Sequence, residues 1–141
     1  MSFTGEYRRT IDSKGRLIVP AQMRGELEDE TVTLVASPDR CVEIWSGEEW
    51  RAYERKLLEQ RRSNTVARSV VRRIAASARA DRVDRQGRLH IPEHLRDWAH
   101  IERDCWVVGH LDHAEIWSPE GWEEAAMPQD QLRTGFEELD L

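Results

Sequence analysis

Asp12-Ser13-Lys14-Gly15-Arg16-Leu17-Ile18-Val19-Pro20 is written a second time, 72 positions on, as Asp84-Arg85-Gln86-Gly87-Arg88-Leu89-His90-Ile91-Pro92. Asp, Gly, Arg, Leu and Pro recur at the same offsets, and Arg24 recurs as Arg96. The same shift carries Glu43-Ile44-Trp45-Ser46 onto Glu115-Ile116-Trp117-Ser118, and Trp50 onto Trp122. One offset through both blocks implies no insertion or deletion between them, and self-similarity of this kind marks an internal duplication. The chain reads as two copies of one small module.

Each copy carries the same local signals. Residues 7–11 alternate polar and apolar and read as a strand. Asp12 to Gly15 reads as a tight turn: an Asp at its head can accept hydrogen bonds from backbone N–H groups just downstream. Gly15 supplies the positive φ of such a loop. Residues 16–19 form the returning strand, and Pro20 suits the first turn of a short helix over 21–27, with Met23 or Leu27 as its apolar contact. Asp84, Gly87 and Pro92 repeat these roles, with a helix from Pro92 to about residue 99 holding Leu95 and Trp98. Further strands are predicted at 31–36, 41–45, 105–108 and 114–117.

Between the copies, Ser46 with Glu49 forms a capping box at the head of a helix bearing Trp50, Tyr53, Leu57 and Leu58 on one stripe. Residues 63–65 break it and cap a second helix. Its apolar stripe is Val66, Val70, Val71, Ile74, Ala75 and Ala78, with Arg68, Arg72, Arg73 and Arg79 elsewhere on the cylinder. The aromatic stripe is read as core. Ser118-Pro119 opens a last helix, and from Met127 the acidic tail is expected to fray.

The formal net charge of −6 argues against a general nucleic-acid glue. Its distribution matters more. Residues 51–88 hold twelve basic and four acidic side chains, whereas 119–141 hold seven acids and only Arg133. The basic run reads equally as a solvated helix face or a phosphate-facing one. Cys41 and Cys105 form no close pair and are read as reduced thiols in strands. The absence of a signal-peptide pattern and of a long apolar run points to a soluble, cytoplasmic protein. His110 and His113 lie three apart in a predicted loop without a third ligand pattern, and His94 and His100 lack any matching Cys or carboxylate pattern. They are read as surface or partly buried side chains, so no metal or cofactor is expected. No phosphate loop or nucleophile elbow appears, and no enzyme is expected.

Two copies of Asp-x-x-Gly-Arg-Leu-x-[Val/Ile]-Pro, each followed by Ile-Trp-Ser, resemble the MraZ family from Phe3 to about Trp122. These are bacterial transcriptional regulators encoded at the head of the division and cell-wall gene cluster, built from SpoVT/AbrB-like swapped-hairpin modules. The resemblance implies an α+β fold of duplicated swapped-hairpin β-barrel halves with a helical bridge and flanking helices. Its divisions are module 1 over 1–50, the bridge over 51–80, module 2 over 81–124 and an acidic tail over 125–141. It implies closed rings of identical chains, nucleoid association, and binding to promoter direct repeats as a repressor of its own gene cluster. The family's Asp-x-x-x-Arg signature maps onto Asp12 and Arg16, and onto Asp84 and Arg88.

The residues themselves leave Arg16 and Arg88 open between two roles: pairing with the Asp four positions back, or contacting DNA. The resemblance favours DNA for both. Lys14 and Arg85, at different loop positions, suit phosphate. Asp12, Gly15, Asp84 and Gly87 are assigned to turn structure. His90 stands where copy one has Ile18, so the two copies need not contact DNA equivalently. The competing expectation is an antitoxin-type interaction module whose acidic tail folds on a basic partner.

Overall fold

The computed structural model describes residues 2–27 and 31–141. Copy one runs β1 (Glu6–Thr10), β2 (Arg16–Ile18), α1 (Ala21–Leu27), β3 (Val32–Ala36), β4 (Val42–Trp45) and α2 (Gly47–Gln60). After α3 (Thr65–Ser77), copy two repeats the order as β5 (Arg79–Asp81), β6 (Arg88–His90), α4 (Glu93–Trp98), β7 (Asp104–Gly109), β8 (Ala114–Trp117) and α5 (Pro119–Ala125), and α6 (Gln129–Glu138) follows. The fold is α+β and duplicated.

The copies interlock. The turn at Asp12 does reverse the chain, but β1 and β2 do not pair as the simple hairpin read from the sequence. β1 pairs with β7 of the other copy, β5 with β3, and β2 with β6, all antiparallel. A turn motif dictates only the reversal. The partner is chosen by burial: Leu17 and Leu89 oppose each other on the ribbon's inner face and are both fully buried. The main sheet has the order β1-β7-β8-β4-β3-β5. It is open at β1 and β5, not the closed barrel that the resemblance implied, and the β2–β6 ribbon lies in a second layer.

The ladders also correct the single offset. Tyr7 pairs with Val107, and its image 72 residues on, Arg79, pairs with Leu34. Leu34 is therefore the counterpart of Val107, 73 positions away, while Glu43 and Glu115 remain 72 apart and face each other across β4 and β8. A residue gained before β7 is lost again between β7 and β8. The sequence blocks on either side keep their phase and hide the shift.

One face of the sheet packs on the ribbon and on α1 and α4, through Leu17, Val19, Leu89, Ile91, Met23 and Leu95 against Leu34, Ile44, Val107 and Ile116. On the other face, Val35, Trp45 and Ile74 meet Trp50, Tyr53 and Leu57 of α2. β3, β4 and β8 are covered on both sides, so every residue of these strands is buried.

The bridge differs from expectation in three details. Leu58, Val66 and Val70 stay exposed, because only the end of the α3 stripe nearest Ile74 reaches the sheet. Arg79 belongs to β5, not to the helix, since it is the image of Tyr7. Ser46 is the N-cap of α2 by position, yet its hydroxyl makes no capping bond. The helix start rests on Trp50 N–H donating to the Ser46 carbonyl and on Glu48 and Glu49 in the first turn. Asn64 and Ser118 do cap, accepting from Ala67 N and Gly121 N. The tail is not frayed: Pro128 starts α6, whose Leu132 and Phe136 are spaced one turn apart and remain exposed. Among the described residues, no helix is long and apolar enough to cross a membrane.

Candidate nucleic-acid interface

Both repeated turns have one construction. Asp12 Oδ1 accepts from Lys14 N and Arg16 N, each at 2.9 Å, and Asp12 Oδ2 accepts from Arg16 Nε at 3.0 Å. In copy two, Asp84 Oδ1 accepts from Gln86 N and Arg88 N, and Oδ2 from Arg88 Nε at 2.8 Å. Gly15 and Gly87 both take φ of +79°, a conformation that disfavours side-chain-bearing residues. The hydrogen bond from Arg16 N, then those from Lys14 N and the Arg16 guanidinium, hold Asp12 below the usual carboxylate range despite partial desolvation. Asp84 is lowered likewise, first by Arg88 N, then by the Arg88 guanidinium and Gln86 N.

The Asp–Arg pair is therefore made in both copies, but it engages only Nε. Among the described residues, the terminal guanidinium nitrogens of Arg16 and Arg88 have no hydrogen-bond partner. Both side chains are 30% exposed. Lys14 and Arg85 are exposed at the loop tips without an ion-pair partner among the described residues.

Register brings the two arginines onto one surface. Arg16 opposes His90 and Ile18 opposes Arg88, with the Leu17–Leu89 pair between them pointing inward. Side chains alternate across a ribbon, so Arg16, Ile18, Arg88 and His90 share its outer face. Ile18 is 51% exposed there, a position that folding alone does not reward. The ribbon is extended at both ends, where Val19 N donates to Gly87 O and Ile91 N to Gly15 O, each at 2.8 Å. Antiparallel pairing puts the two loops at opposite ends.

The structure adds two residues that were noted in the sequence but given no role. Arg24 donates through Nε to Val19 O, and its guanidinium lies against Gly87, the loop glycine of the other copy. Arg96 donates to Ile91 O and lies against Gly15. Each tip is composite: Lys14 and Arg16 with Arg96 at one end, Arg85 and Arg88 with Arg24 at the other. Their recurrence at the repeat offset was the available signal. What it could not reveal was that each arginine crosses to the opposite copy.

The histidines also differ from their reading. His113, just before β8, is buried, and Glu115, two residues on in β8, brings a third ligating side chain to His110 and His113. Burial alone would raise Glu115, but hydrogen bonds from His113 and Trp117 hold it below the usual range. Burial dominates at Glu43 and pushes it up.

Two segments of the chain, residues 2–73 and 74–139, match the family model described as "MraZ protein, putative antitoxin-like". A protein of Limosilactobacillus fermentum named "Transcriptional regulator MraZ" is 40% identical over 141 residues, covering 97% of this chain and 98% of that one. A protein of the same name from Caldanaerobacter subterraneus subsp. tengcongensis is 42% identical over 96% of this chain and 92% of its own. Another, from Alkaliphilus metalliredigens, is 37% identical over 99% of both.

Proposed function

The chain belongs to the MraZ family, and from that premise we propose that it is a DNA-binding transcriptional regulator that reads promoter DNA with the outer face of the β2–β6 ribbon. It is not an enzyme. The observation that carries the reading is the presence of Arg16 and Arg88 together on one solvent-facing ribbon face, each anchored through Nε with its terminal nitrogens unpartnered among the described residues. A two-stranded ribbon fits a major groove. There an anchored guanidinium can donate twice to a guanine edge, worth about 1–3 kcal/mol of discrimination. Lys14 and Arg85 neutralise phosphates, which makes affinity salt-dependent.

The finer reading extends this to the whole assembly. Chains associate in a ring, so that several ribbons meet short direct repeats at once and weak contacts add through effective concentration. The regulator works in the cytoplasm on the nucleoid, as a repressor of its own division and cell-wall gene cluster. Promoter DNA and other copies of the chain are its partners, with no small-molecule substrate. The acidic tail faces away from the duplex.

The test is the double variant Arg16→Ala with Arg88→Ala, assayed by gel shift on the DNA upstream of its own gene and by sizing chromatography. Specific binding is expected to be lost, with the size of the assembly unchanged. Undiminished specific binding by a correctly assembled double variant would remove these arginines from the readout.

A further inference from the structure

The repeated Glu-Ile-Trp blocks place two buried carboxylates opposite each other, Glu43 on β4 and Glu115 on β8. Each is held by its own tryptophan: Trp45 Nε1 donates to Glu43 Oε1 at 3.1 Å, and Trp117 Nε1 to Glu115 Oε1 at 3.0 Å. That leaves both Oε2 atoms turned to His113, whose Nε2 lies 3.2 Å from Glu115 Oε2 and 3.8 Å from Glu43 Oε2. The duplication offers no second imidazole here, because the position equivalent to His113 is Cys41. Around this one buried ring stand the buried Glu43 and Glu115 and the exposed Asp112.

We propose that His110, His113 and Glu115 bind one divalent transition-metal ion of the zinc class. Three observations carry the assignment. The ligating atoms of the three residues lie within 4.8 Å of one another. A tetrahedral ion with bonds near 2.0–2.1 Å sets its ligand atoms roughly 3.3 Å apart, close to the His113–Glu115 separation. His110 is exposed and can rotate to close the remaining gap. Next, Asp112 Oδ1 sits 2.7 Å from His113 Nδ1. A carboxylate there fixes the tautomer that presents Nε2 to a metal. Finally, His110 and Glu115 line an open cleft of about 870 Å³, which gives the ion an entrance and a water for its fourth position. Two imidazoles and one carboxylate are borderline donors, suited to zinc, cobalt or nickel and poorly to calcium or magnesium.

The test uses tag-free, chelator-treated full-length chain titrated with cobalt chloride, followed by visible absorption, and with zinc chloride in a calorimeter. The expected result is one equivalent per chain, with d–d bands that zinc abolishes. His110→Gln, at an exposed position, should keep the metal-free melting curve and weaken binding at least about ten-fold. Asp112→Asn should weaken it about 10–100-fold by loosening the ring. His100→Gln, outside the triad, should bind as the parent does. Absence of the cobalt bands, unchanged affinity in His110→Gln, or loss of binding in His100→Gln would overturn the assignment.

Discussion

Gly15 and Gly87 are the residues at which the repeated turn tolerates least. Each holds φ at +79°, and each faces the arginine of the opposite copy. A Cβ on Gly15 would come within 3.1 Å of His90 Nε2 and 3.2 Å of Arg96 Nη2, whereas one on Gly87 would run into the Arg24 guanidinium at 2.3 Å. The guanidinium is the far end of a flexible chain and can swing aside, but the backbone strain cannot be relieved that way. Gly15→Val and Gly87→Val are each expected to lose about 1–3 kcal/mol of stability. Thermal melts of the single variants check this, and DNA binding should fail only as folding does. Melting curves equal to the parent's would mean that the loops accept a β-branched residue and that the turn is not constrained as described.

At the scale of elements, the readable features were those set by neighbours in sequence. The Asp-to-Gly turns, the proline-led helix α5 and the caps at Asn64 and Ser118 follow from residues within about four positions. Strand pairing did not follow, because β2 could be matched to β6 only through burial of Leu17 on Leu89, residues 72 positions apart. Distance did not hide the third member of the His110–His113 group: Glu115 stands two residues beyond His113, in a motif read only as strand. Helix α6 was missed because an acidic composition outweighed a short Leu132–Phe136 stripe. That stripe buries nothing in the chain, and no residue of α6 is buried. Deleting residues 128–141 should therefore move the melting temperature by no more than a few degrees, the equivalent of about 1 kcal/mol in a protein of this size. A larger fall would show that α6 packs against the body or against another copy.

At the scale of the whole molecule the copies depend on each other, because each keeps one strand pair of its own and takes its other pairings from the other copy. Copy one supplies β1 and β2, whose hydrogen-bonding strands, β7 and β6, come from copy two, while β3 receives β5. Cut after Ser77, the first part keeps the β3–β4 pair but uncovers Leu17, Val19 and Leu34, all buried to within 1% of full in the intact chain. Apolar burial on this scale is worth about 1.5–3 kcal/mol per side chain, comparable to the total stability of a small domain when several are lost together. Such a fragment has one way to recover the burial: a second fragment can provide, from its own β2 and β3, the pairings that copy two provided. Residues 2–77 are thus expected to be unfolded when dilute and to fold only as a swapped dimer. Far-UV circular dichroism should show a midpoint that rises with concentration, and sedimentation should show the folded form at twice the monomer mass. A fragment that melts cooperatively as a monomer, at a temperature independent of concentration, would mean that the copies are autonomous and that their interlocking is not what holds the ribbon in shape.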